Sequence, residues 1–442
     1  MAEVELLPIA TMIHLILGLM TIILVFRSEK SNHNERFAAL ILGWILLILG
    51  INYLFRTIID YQLNNDLIST GEYATSFLRF GAQSTWVIFS GLLIVLSLTY
   101  PYPLIQNSKV VTLGCLTTIL ITLIFIPTGI VTNFEYDSAS SLFLLFPFLI
   151  WLGVYLRYLH SEILDDRKED RTISAVSALL IFAAFGEWLT YWLGIITTQE
   201  NHFSSRFAVG GSELSDPNLI NMVMEIALQA IVAVSIISIF IGEVWRCRKK
   251  GISGISIFTF SLFVLGILWF IFDYTQMGIV DSCVETQCNS FNKVYNTYYI
   301  FTSQIIRFLL VPLIFMYVIL NFNLIETGGE NVWFTRVLVL LMLLIVTSSI
   351  IELIQTVLPI PQMITSALFA AAVVVFIGWE ERITSGMIRQ SSSVANTLLE
   401  SGEIVDFTIS RSEYKAYNVS VGVSVTLALM ISLLISLMGI NS

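Results

Sequence analysis

Along this chain, stretches of about twenty apolar residues alternate with short polar or basic connections over nearly the whole length. Each stretch matches the ~20 residues that one α-helix needs to cross a hydrocarbon core about 30 Å thick. Twelve spans are predicted, at approximately 6–26, 37–60, 83–104, 109–132, 141–163, 172–197, 218–244, 254–278, 296–322, 334–358, 362–379 and 417–440. The pattern therefore predicts an all-α integral membrane protein, a polytopic bundle of about 12 transmembrane helices. The eleventh span is the shortest, and the twelfth follows a longer polar segment. The chain accordingly divides into a main transmembrane bundle over 1–379, a cytoplasmic amphipathic segment over 380–416 and a last helix over 417–442.

Composition points the same way. Of 442 residues, 56% are hydrophobic and only 12% are charged, about half the charged share of an average soluble protein. The first apolar run follows Glu3 and Glu5 and lacks a basic n-region, so it is expected to be retained and not cleaved as a signal peptide.

Lysine and arginine set the orientation. With the N-terminus outside, 17 of the 22 basic residues fall on the cytoplasmic side, among them Arg27, Arg167, Arg171, Arg246, Arg248, Lys249 and Lys250. Arg79, Arg206 and Lys293 fall outside, and Arg56 and Arg307 fall within spans. Both termini are thus predicted outside, in a plasma (cytoplasmic) membrane. Cys283 and Cys288 share an outer loop in this topology, where a disulfide could form and persist.

A weak internal repeat runs across the chain. Leu49-Gly50-Ile51 and Ile59-Asp60-Tyr61 in the second span echo Leu265-Gly266-Ile267 and Phe272-Asp273-Tyr274 in the eighth. As a true repeat it would make two six-helix halves, 1–200 and 217–442, related by an axis along the membrane normal.

The candidate chemistry lies in ionisable residues inside apolar spans. Arg307 stands near the middle of its span, where a lone charge costs about 2.5–3.5 kcal/mol on insertion scales. It needs a carboxylate or a water-filled cavity. Glu187, Glu225, Asp273 and Glu352 are the acids within spans that could serve, with Gln304 and Trp188 as polar and aromatic neighbours. At ~1.5 Å per residue, all of these groups fall at mid-depth or nearer the outer surface. They are read as a substrate- or ion-binding set in an outward-facing polar cavity, with Arg307 and Glu187 at its floor. The competing reading is a set of buried ion pairs that only fixes helix packing.

Other features are read as structural. His14 is taken as a hydrogen-bonded core histidine, Arg56 beside Asp60 as an interface anchor, and Tyr100-Pro101-Tyr102-Pro103 as an aromatic belt with a helix stop. Within 380–416, Ile383, Met387, Val394 and Leu398 recur at helical spacing, the mark of a short interfacial helix and a candidate contact for a protein partner.

Four histidines, of which only His14 lies well inside a span, disfavour a bis-histidine haem or a His-rich zinc site. No metal or cofactor is expected. The sequence carries no recognisable catalytic set, and an enzyme is not expected. The expected partners are the lipid bilayer and a small solute or ion, with no nucleic acid. The reading that results is a transporter or ion-coupled carrier of a small polar or cationic solute. The alternative is a membrane sensor or receptor-like module signalling through a separate cytoplasmic partner. The layout of the first seven spans is loosely similar to the seven-helix sensor regions that precede histidine kinases, without a shared motif.

Overall fold

The structure, a computed structural model, describes residues 6–27, 33–64, 67, 76–131, 137–167, 170–190, 219–280, 310–322, 324–325, 332–333, 335–343, 347, 367, 393–404 and 407–438. Within these ranges, side chains at 6, 33, 63–64, 137–142, 185–190, 219–230, 233, 265 and 269–280 lie outside the description. Among the described residues every regular element is helical. The principal helices are α1 (Leu6–Arg27), α2 (His33–Asn64), α3 (Phe77–Thr99), α4 (Lys109–Val131), α5 (Asp137–Leu164), α6 (Asp170–Thr190), α7 (Leu219–Lys250), α8 (Gly254–Val280), α9 (Val311–Asn321), α10 (Val394–Glu400) and α11 (Arg411–Met438). Six of them, α1 to α5 and α11, are long and apolar enough to cross a membrane. The described parts of α8 and α9 are shorter apolar helices.

The chain falls into two compact units. One comprises Met1–Trp151, Phe315–Thr335 and Met387–Ser442, and the other Leu152–Ile314 and Arg336–Gly386. The last helix, α11, packs against α2, α3 and α4, and α5 changes unit at Trp151.

In the first unit α1 and α2 form an antiparallel hairpin whose backbones nearly touch. A Cβ on Gly18 would come within 2.6 Å of the Leu47 amide nitrogen and 2.9 Å of the Gly43 carbonyl oxygen. Gly43 lies against Thr21 and Ile22, and Gly50 against Leu15. In lipid the tails are as apolar as leucine, so helices associate through close packing of small residues, and these glycines supply it. The pairs Thr11–Thr57 and His14–Tyr53 continue the same register toward the other end of the hairpin. The opposite side of α1 exposes Ile9, Met12, Ile16, Leu19 and Ile23 at helical spacing, an apolar stripe suited to lipid contact.

α3 packs against α2, and Asn52 on α2 donates to the Ala82 carbonyl at 2.6 Å and the Thr85 hydroxyl at 3.1 Å. α3 stops because Tyr100 is extended (φ −152°, ψ 141°) ahead of Pro101, as the residue before a proline tends to be. Tyr100 is no belt residue: it is 2% exposed, and its carbonyl accepts from the Trp151 indole at 2.9 Å. Burial, and secondarily the Glu35 carboxylate, push its phenol above the ordinary tyrosine range. α4 is interrupted by one π-helical turn, Ile121–Phe125.

The segment over 380–416 also departs from expectation. The described part of its apolar face is covered by protein: Val394 and Leu398 are buried as α10 packs on α2. Glu35, itself fully buried, accepts from the Ser393 hydroxyl at 2.8 Å and the Ala395 amide at 3.2 Å. A carboxylate from another helix thereby helps to cap α10, satisfying a backbone donor that would otherwise be orphaned. Gly402, at φ +72°, closes the helix, with amides of Gly402 and Glu403 returning to the carbonyls of Leu399 and Leu398.

Two outcomes test this packing. Gly18→Leu forces α1 off α2 and should destabilise the fold by about 1–3 kcal/mol, whereas Gly153→Ala, which meets nothing within 4 Å, should leave the unfolding temperature in detergent nearly unchanged. Glu35→Ala should make the 393–404 region cleavable by protease under conditions in which the native chain resists.

Candidate functional site

The best-defined ionic constellation among the described residues lies in the second unit, where four helices meet at one end. α5 arrives there as it ends at Leu164, α6 starts from Asp170, α7 ends at Lys250 and α8 begins at Gly254. At this junction Arg246 is buried completely. Its guanidinium donates to Glu243 Oε1 at 2.7 Å and to the Ser174 hydroxyl at 2.6 Å, and lies 2.9 Å from Glu162 Oε2. Glu243 is the best-satisfied member. Tyr155 donates to its Oε1 at 2.8 Å and Ser256 to its Oε2 at 2.6 Å, in addition to the arginine.

Local sequence explains this geometry. Glu243 and Arg246 are three apart on α7 and so share one face. Tyr155 and Glu162 are seven apart on α5, two turns, and likewise share a face. Gly242 makes the approach of α5 to α7 possible, since a Cβ there would meet the Tyr155 hydroxyl and the Leu159 side chain at 2.7 Å. At the start of α8 the Ser253 hydroxyl accepts from the Ser256 amide at 3.2 Å, an N-cap that also aims Ser256 at Glu243.

Two carboxylates face the Arg246 guanidinium, with the exposed Arg171 also acting on Glu162, in a site where Glu162 is 3% exposed and Glu243 fully buried. Separating such charges from water costs several kcal/mol per ion, offset only by good geometry and further hydrogen bonds. Glu243 has those bonds. Glu162 relies on the arginine, and Arg246 Nε has no hydrogen-bond partner among the described residues. Chemically the set can anchor four helix ends.

The predicted binding set is placed only in part. Glu187 and Trp188 lie on α6, Glu225 on α7 and Asp273 on α8, with their side chains outside the description. Counted along those helices at ~1.5 Å per residue, each is roughly 20–30 Å from the Arg246 cluster, toward the opposite ends. Arg307, Gln304, Glu352, Cys283 and Cys288 lie outside the described residues. His14 is fully buried, with Nδ1 2.7 Å from the Ala10 carbonyl and its ring edge-on to Tyr53. That arrangement fits the core histidine expected from sequence. Among the described residues no three metal-ligating side chains converge.

Sequence reasoning counted Arg246 among the cytoplasmic bases and passed over Glu162 and Glu243, which fall one residue inside the ends of the spans predicted at 141–163 and 218–244. The available signal was a Glu-x-x-Arg pair preceding Arg248 on an apolar helix, with a further acid two positions before the end of α5.

Arg246→Ala leaves two buried carboxylates without their cation and should cost about 3–5 kcal/mol in denaturant unfolding, against about 1 kcal/mol for Tyr155→Phe. Replacing the whole set with Glu162→Leu, Glu243→Leu and Arg246→Met should recover most of that loss if the cluster is purely structural. Compared with protein-family models, curated proteins and solved structures, the chain matches none of them, so its site is read from its own residues.

Proposed function

We propose that this chain is an ion-coupled carrier of a small polar or cationic solute. In this reading it has about 12 spans in two six-helix halves, with both termini outside a plasma membrane. The observation that carries it is the burial of Glu162, Glu243 and Arg246 among apolar helices. Ionisable groups held at such positions mark ion pathways, proton relays or ligand sites more often than passive packing. Of the helices that meet at this cluster, α6 carries Glu187, α7 Glu225 and α8 Asp273 toward their other ends. Arg307 would complete the outward-facing end of that path, with Glu352, Gln304 and Trp188 around it.

A sensor that signals to a separate cytoplasmic protein is the second reading. It is favoured by the docking of residues 393–404 through Glu35, which presents a folded segment within the region expected on the cytoplasmic side.

Uptake into proteoliposomes across a panel of cations and amino acids distinguishes the two. The carrier reading expects at least one solute to accumulate, with uptake reduced about tenfold or more by Glu187→Gln and Arg307→Ala in folded protein, the scale of a lost charged contact. Absence of uptake, together with a ligand-dependent rise in unfolding temperature, would favour the sensor.

A further inference from the structure

The cluster around Arg246 has a consequence on its outer side. It draws together two connections that are distant in sequence, the one from α5 to α6 and the one from α7 to α8. Lys250 on the second pairs with Asp166 on the first, which ties the two together at the surface. Both are shaped for a tight reversal by a left-handed residue, Asp166 at φ +57° and Gly251 at φ +88°. Exposed on this paired surface are Arg167, Arg171, Arg248, Lys249 and Lys250, against two exposed carboxylates, Asp165 and Asp166, among the described residues.

Helix length sets the level of this patch. The 32 residues of α7 extend about 48 Å at ~1.5 Å each, well beyond a ~30 Å hydrocarbon core. The apolar part of α7 runs up to Val244 and Trp245, so the excess at that end is the basic sequence Arg246 to Lys250. Arg246 is taken into the protein, and with the span expected at 218–244 crossing the membrane, Arg248 to Lys250 would stand at the depth of lipid headgroups. Beside them protrude Ile252, 73% exposed, and Leu164, 59% exposed. Bases flanked by protruding apolar side chains suit the boundary between headgroups and acyl chains, which offers both phosphates and hydrocarbon. A soluble polyanion would leave Ile252 and Leu164 uncovered.

We propose that the joined α5–α6 and α7–α8 connections form a binding surface for the headgroups of anionic phospholipids. Arg248 and Lys249 engage the phosphate, and Ile252 inserts at the acyl boundary. The ion pair between the connections and the buried cluster beneath them preorganise the surface, which lowers the ordering cost of binding. The inference holds for a carrier and for a sensor alike, since it requires only the membrane.

The test uses the purified full chain in mild detergent, with binding of phosphatidylglycerol and phosphatidylcholine measured by native mass spectrometry and by thermal shift. The wild type should retain phosphatidylglycerol in preference to phosphatidylcholine. Arg248→Gln with Lys249→Gln should weaken that binding about tenfold or more, given roughly 1 kcal/mol per basic residue near an anionic surface. The control pair Lys109→Gln with Lys415→Gln, also exposed bases, should leave it within about twofold, well under the effect expected for one such residue. Ile252→Ser should weaken lipid binding without altering displacement by inorganic pyrophosphate. Equal loss in the control pair would reduce the effect to general basic charge and overturn the proposal. Unchanged binding in the Arg248/Lys249 pair, or displacement by pyrophosphate as effective as by lipid, would overturn it as well. Should the double variant fail to fold, Arg248→Gln and Lys249→Gln singly, each expected to weaken binding several-fold, decide the same question.

Discussion

The second unit depends on one requirement: a guanidinium buried completely among apolar helices must find its counter-charges inside the protein. Arg246 meets it with carboxylates from its own helix and from α5, and with a hydroxyl from α6. Glu243 extends the network to Tyr155 on α5 and to Ser256 on α8. The four helix ends are thereby held by directional bonds, which apolar contact in a lipid environment does not supply, because lipid tails compete equally for apolar surface. The positions of the α5–α6 and α7–α8 connections follow from that cluster.

The first unit solves the same problem of association by shape. Gly18, Gly43 and Gly50 let α1 and α2 approach until backbone atoms would collide with any added side chain. Dispersion contacts grow with such proximity, and they are small individually and large in sum. Polar groups complete this unit locally: Asn52 bonds to the start of α3, and Glu35 caps α10. Glu35 shows why a carboxylate at a membrane-helix end need not be a solvated anchor. Its oxygen is committed to a hydroxyl and a backbone amide from a segment more than 300 residues away in sequence.

Much of the helix layout was legible in the apolar runs. The span predicted at 109–132 is the helix Lys109–Val131, and that at 254–278 is Gly254–Val280. α3 was misplaced by about six residues at its start and five at its end. Ser76 to Arg79 fell outside the predicted span, whereas the Ser76 side chain caps the helix there, accepting from the Arg79 amide. The candidate site was less legible. Arg307 drew notice because a lone base in an apolar run stands out, whereas Arg246 was hidden by the basic residues that follow it. Hydropathy cannot separate a base held inside a helix junction from its neighbours that face water.

By itself, then, the sequence determined the helical membrane character of this protein, because a backbone in hydrocarbon must satisfy its own hydrogen bonds and runs of about twenty apolar residues do so as helices. It also determined where bases collect, since a cation on a connection is set by composition alone. Only the tertiary structure decided which charges are buried. Arg246 and Arg248 are two residues apart and chemically identical, yet one is enclosed by Glu162, Glu243 and Ser174 and the other is exposed. Two positions along a helix turn a side chain by about 200°, so the partner helices on each side, and not the residue type, set its environment.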